Sequence, residues 1–360
     1  MKKLMNLCLV GLLCSTAVSA ADWGLKRGTP EIKSAGSLTF GPDDVLFVGD
    51  TKSASVFAIA TGDLEGDAST SNINLTNVAG KISDVVGGAA TINDIATNPS
   101  TGVVFVSVMA GDKAAIVKID GAGKITQLPM TDVLFSSVTL SDVPEDKVTG
   151  QGRRKRNSRS DAITDLAFFE GKLLISGLQT AGSPSSVREI SFPFARADKG
   201  VGIQIYHAAH GREEDYSAMR TFVPLMIDGE PNLLAAYVCT PLVKIPLKEF
   251  QDASEKLKGT TVAELGNRNR PLDMISYTKG GSEYLLLSNS ARGVMKITTA
   301  GLRENSGLTE KVSGGGSAGQ SYDTIKDLDG TVQIDKLNET HAVVLMDNGG
   351  KLDLKTVELP

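Results

Sequence analysis

Two of the three histidines in this chain, His207 and His210, stand three positions apart, and Cys239 lies one repeat unit further on. Imidazole and thiolate together suit copper or zinc. The spacing matters, because His-x-x-His directs both rings to one side only in a helix or a turn; in a strand the odd offset sends them to opposite faces. Two plainer readings stand beside this one. The histidines can belong to a polar loop, one of them satisfied by backbone, and a lone cysteine is among the residue types most often buried as a small apolar side chain. A Cys–His nucleophilic pair is a further use of the same residues.

Oxygen ligands form a second set. Asp94, Asp165 and Asp273 each follow the same local pattern, at the start of an apolar stretch. Three carboxylates meeting round one axis would hold a hard divalent cation such as calcium. Alternatively, each caps its own turn by accepting from nearby backbone N–H groups, and recurrence favours this reading. Arg270 closes the run Asn267–Arg270 beside Asp273. It offers a guanidinium to a carboxylate, phosphate or sugar, or pins neighbouring units through an Arg–Asp network. Asn289 and Asp50 are expected on loops facing the same way. The segment Gly152–Asp161 is strongly basic within a chain of net charge -5. It reads as a solvated loop, or as a dock for an acidic partner. Ser-His-Asp signatures, phosphate-binding glycine loops and haem-attachment motifs are absent from the sequence.

Which of these residues can meet depends on the elements that carry them. Six stretches share one pattern: residues 37–59, 94–119, 165–190, 219–245, 272–297 and 332–357. Each reads as an apolar strand, a polar turn, a second apolar strand, a loop, and a third strand ending near V-x-K-I. Fourth, more polar strands are expected over residues 73–78, 125–128, 203–206 and 262–265. Radial repetition of four antiparallel strands is a propeller blade, and a blade buries its faces only against its neighbours. The expected fold is therefore all-β, a six-bladed β-propeller of four-stranded antiparallel blades. The last unit has no room for a fourth strand, so the N-terminal stretch around residues 25–32 is expected to close the ring there. One helix is expected over residues 247–257. In this geometry Asp94, Asp165, Arg270, Asp273, Asn289 and the His207/His210/Cys239 group should ring one channel mouth.

The ends set the compartment. Lys2 and Lys3 precede a short apolar run, and Val18-Ser19-Ala20 has the small-x-small pattern of a cleavage site. Residues 1–20 are thus expected to be a signal peptide and residues 21–360 a single propeller domain, periplasmic or secreted after cleavage. Cys8 and Cys14 leave with the leader, which strands Cys239 without an intramolecular partner. The acidic balance argues against nucleic acid as a partner, and no stretch is apolar for long enough to span a membrane. The partners left are a protein or a small anionic ligand, with a divalent metal as the cofactor to consider.

The pattern D-φ-A…G-φ-φ-φ-S…φ-x-K-I, as in Asp94-Ile95-Ala96 and Asp165-Leu166-Ala167, resembles the NHL and regucalcin/gluconolactonase group of six-bladed propellers. The stretches AAYVCTPLVKIPL (235–247) and NRNRPLDMISY (267–277) are also similar to a group of secreted bacterial propellers, a likeness that brings no activity. The first resemblance implies the fold. It also raises a metal-dependent hydrolase of the lactonase type, whose metal sits in the central channel on a Glu, an Asn and an Asp; no residue here matches that glutamate. The leading functional expectation is a non-catalytic binding or assembly propeller that uses the loop face round the channel.

Overall fold

The second strand of every blade is apolar on both faces, as in Val104–Ala110 and Lys172–Leu178. A strand of that kind must be covered on both sides. In the computed structural model, which describes residues 23–152, 155–197, 199–252 and 256–360, that cover comes from the neighbouring blades. Six small sheets, antiparallel but for one edge strand, stand round a central channel. The leader and Arg153 and Arg154 of the basic loop lie outside the described residues. No helix among the described residues is long and apolar enough to cross a membrane.

Blade one holds Leu38–Phe40, Val45–Asp50 and Ser55–Ala60, and blade two holds Ala90–Thr97, Val104–Ala110, Lys113–Ile119 and Ile125–Gln127. Blade three runs from Asp165–Phe169 through Lys172–Leu178 and Ser185–Ser191 to Val201–His207. Blade four runs from Thr221–Ile227 through Glu230–Ala236 and Pro241–Pro246 to Thr260–Glu264. Blade five has Pro271–Lys279, Ser282–Asn289, Gly293–Thr298 and Tyr322–Ile325; blade six has Thr331–Lys336, His341–Asp347 and Leu352–Glu358.

The outer strands depart from expectation. Asn74–Leu75, expected on blade one, pairs instead with Leu352–Glu358 of blade six and closes that sheet. The chain then makes the helix Val78–Val86, which the sequence pattern did not indicate. Blade one receives its fourth strand, Val133–Thr139, from beyond blade two. The N-terminal strand Lys26–Gly28 pairs with that strand, so it lies on blade one and not on blade six. Trp23 fixes the choice by stacking on Phe192 of blade three at 5.6 Å and donating to Asp43.

These exchanges follow from the order of blades round the ring. Apolar clusters join three with four, four with five, and five with six. The remaining clusters join six with two, two with one, and one with three. Blades one and two are therefore transposed relative to the sequence. Two long connections, residues 61–89 and 128–164, give the chain enough length to cross over.

Of the helix expected over 247–257, the described residues show the turn Glu249–Asp252. Lys256–Lys258 instead pairs in parallel with the outer edge of blade three, and Leu257 packs into the cluster between blades three and four. Covering an open strand edge satisfies its backbone groups.

Candidate metal centre

The last outer strand of blade three, Val201–His207, turns back at once into Arg212–Glu214. The turn is tight and helix-like: the His210 N–H donates to the His207 carbonyl at 3.0 Å, and the Gly211 N–H to the same oxygen at 2.8 Å. Gly211 takes a φ of +69, which a side chain would resist. Such a turn is the geometry that puts His207 and His210 on one side, and their rings lie 3.8 Å apart, centre to centre.

One buried carboxylate orients both rings. Glu214 Oε2 meets Nδ1 of His207 and Oε1 meets Nδ1 of His210, each at 2.8 Å, and the Arg212 Nε donates to Oε1 at 2.9 Å. With Nδ1–H held by the carboxylate, each Nε2 keeps its lone pair. That arrangement typically sets the tautomer of metal-binding histidines. The His207 ring is buried, and its Nε2 has no hydrogen-bond partner. Burial lowers the His207 pKa against the pull of Glu214, so the ring is neutral near pH 7. Burial alone would raise the Glu214 pKa; hydrogen bonds from His207, Arg212, Tyr216 and His210 outweigh it and bring it to about 2.

Cys239 comes from blade four, in the turn between Glu230–Ala236 and Pro241–Pro246. Cys239 and Thr240 both adopt left-handed backbone, with φ 64 and 48. For residues with a Cβ this conformation costs about 1–2 kcal/mol each. Neighbours hold the turn in place: the Cys239 N–H donates to the Asn269 carbonyl at 3.0 Å, and the Thr240 hydroxyl to the Gly266 carbonyl at 2.9 Å. The half-buried thiol thereby faces the histidine turn across the junction of blades three and four. One ligand atom from each of His207, His210 and Cys239 lies within 4.8 Å of the other two. Tetrahedral zinc needs such atoms roughly 3.5 Å apart. His210, with 43% of its side chain exposed, is the least enclosed of the three. Beneath the turn, fully buried Glu264 accepts from the Ala209 N–H at 3.0 Å, while its other oxygen has no partner. Burial pushes the Glu264 pKa up to about 7.

The channel carboxylates form a separate group. Asp94, Asp165 and Asp273 line a cavity of about 600 Å³ together with Asp335. Each fastens its blade to the next. Asp94 accepts from Leu38 N–H at 2.7 Å, Asp165 from Phe222 N–H at 2.9 Å and Asp273 from Ile334 N–H at 2.8 Å; Asp335 accepts from Thr97 N–H. The other oxygen of Asp165, Asp273 and Asp335 takes the N–H of the following residue. Oriented so that its nitrogen meets acceptors, the Gln333 amide bridges Asp94 at 2.9 Å and Asp273 at 2.8 Å. Burial, and then neighbouring carboxylates, hold Asp94 and Asp273 well above the usual range; burial brings Asp165 and Asp335 to about 6. Most of the oxygens that a cation would need are already bonded to backbone.

The remaining expectations separate. Arg270 is exposed, and Asp273 bonds backbone rather than Arg270, so the Arg–Asp network does not form. Asn289 lines a groove between blades five and six, away from the carboxylates. The sequence pattern did not single out Glu214, Glu264, Gln333 or Asp335. Glu214 carried a signal, as an acid four residues after His210 in a segment able to form a hairpin. Asp335 did not: after the same one-residue bulge, Gln333 holds the position that Asp94 and Asp273 hold in blades two and five, and Asp335 lies two residues further on.

No family model matches this sequence, and neither does any curated protein sequence. Similar solved structures include the PQQ-bound aldose sugar dehydrogenase of Streptomyces coelicolor, 11% identical, with a TM-score of 0.32 over 92% of this chain and 97% of that one. A putative oxidoreductase (glucose dehydrogenase) of Thermus thermophilus is 11% identical, with a TM-score of 0.36 over 93% of this chain and 100% of that one. A chain of the mitotic checkpoint complex is 9% identical, with a TM-score of 0.39 over 100% of this chain and 99% of that one. None of these likenesses bears on the chemistry of this chain.

Proposed function

We propose that this is an exported binding propeller that holds one transition-metal ion, copper or zinc, through His207, His210 and Cys239. One observation carries the reading. A single buried carboxylate takes Nδ1 of both histidines and leaves the buried Nε2 of His207 without a partner, and one ligand atom from each of His207, His210 and Cys239 lies within 4.8 Å of the other two. A buried, unpaired ring nitrogen is costly unless something binds it. Two imidazoles and a thiolate suit thiophilic ions over calcium or magnesium. The channel carboxylates are better read as fasteners between blades, because most of their oxygens are engaged by backbone N–H groups.

Metal analysis of the purified full chain, stripped with chelator and reloaded, tests this. The expected result is one copper or zinc per chain, lost in both His207→Ala and Cys239→Ser. Binding that survives both substitutions, or no tight binding at all, would overturn it.

A further inference from the structure

We infer that the bound metal keeps a fourth, exchangeable position on the His210 side, and that this position takes a small monodentate anion. The inference rests on the metal reading above and extends it from what is held to what the held ion can bind.

Among the described residues the cluster comprises three side chains. Of the two acids beside the turn, Glu214 uses both oxygens on the two imidazoles and Arg212, and Glu264, with one oxygen on the Ala209 N–H and the other unpaired, does not lie within 4.8 Å of all three ligand atoms. Structural zinc sites close with four protein ligands, whereas three-ligand sites complete the tetrahedron with water or substrate. Exposure places the open corner. His207 is buried, Cys239 is half-buried, and His210 has 43% of its side chain in solvent, so the missing ligand comes from the solvent side.

Charge selects the class of ligand. Two neutral imidazoles and one thiolate leave a divalent ion with a net positive charge. The negative Glu214 behind the rings is offset by Arg212, whose Nε it binds. Arg212 is 64% exposed and donates its Nη2 to the Tyr216 hydroxyl at 3.0 Å, which holds a guanidinium at the rim of the site. A net cationic centre favours hydroxide or another compact anion over an amine or a cation.

Cobalt(II) is the probe metal and azide the probe anion, with the full chain as the sample. Loaded protein should show thiolate-to-cobalt charge-transfer absorption, and azide should shift the cobalt bands saturably. A charge-transfer band with no azide response would overturn the open position while leaving the metal reading intact. Absence of the band, together with no cobalt retained, would overturn both.

Discussion

Cys239 occupies a place where the backbone resists it. A left-handed conformation at Cys239 and again at Thr240 is a cost that the rest of the turn must offset. Glycine would relax the first of these positions. Cys239→Gly should therefore leave the metal-free protein as stable as the native chain or stabler, by up to about 1 kcal/mol, while removing the rise in Tm that metal gives. A melting comparison with and without zinc reads both effects, and a glycine variant that still gains Tm from zinc would take Cys239 out of the site. Glu214 acts one bond further out. Glu214→Gln replaces an acceptor of three N–H bonds with a group that must also donate, which upsets the tautomer of one ring. Metal affinity should fall about 10–100-fold with the fold intact, as measured by competition with a chromophoric chelator. An unchanged affinity would mean that Glu214 serves the hairpin alone.

The elements show why some polar residues look functional in the sequence and prove to be structural. Asp50, at the end of the second strand of blade one, reads in the sequence as a loop candidate. It is fully buried and accepts from the Lys33 and Ser34 N–H groups, the Ser34 hydroxyl and the Ser53 N–H, which tie the N-terminal segment to its blade. Asp50→Ala strips four bonds from a charged acceptor and should cost at least about 3 kcal/mol in urea unfolding. A loss below about 1 kcal/mol would mean that water replaces the carboxylate. The inner three strands of each blade were legible because runs such as Val103–Val106 and Leu285–Leu287 must be covered on both faces. The outer strands were not: Asn74–Leu75 is two residues long, with Asn74 exposed and Leu75 only half-buried, and its partner is set by where the chain crosses rather than by its own pattern. The meeting of His207, His210 and Cys239 could be read from residue type and spacing alone. Its support could not, because Glu214 gains meaning only once the hairpin folds its strand back beside His207.

At the scale of the whole ring, the channel fasteners carry a pH dependence. Asp165 and Asp335 have folded-state pKa values near 6, above their ordinary 3.8, so the folded form favours their protonated state. Their contribution is complete below about pH 4 and is lost as pH rises through 6. Glu214 works in the opposite sense: with a folded pKa near 2 against an ordinary 4.5, its contribution holds above about pH 4.5 and fades on acidification. Tm should therefore peak near about pH 4 and decline as pH rises to about 6–7, and a flat profile from about pH 4 to 7 would contradict this account. The transposed blades have a different consequence. Val133–Thr139 is inserted between Ser55–Ala60 and Lys26–Gly28, so a strand made late is gripped on both sides by strands made early. Leu64, 74% exposed in the first crossover, offers a cutting point between them. An enzyme cleaving after Leu64 should yield two pieces on a denaturing gel but one particle of native size in gel filtration; separate elution would refute the grip. By this account a cut at Leu64 would end the continuity of the chain and leave its shape.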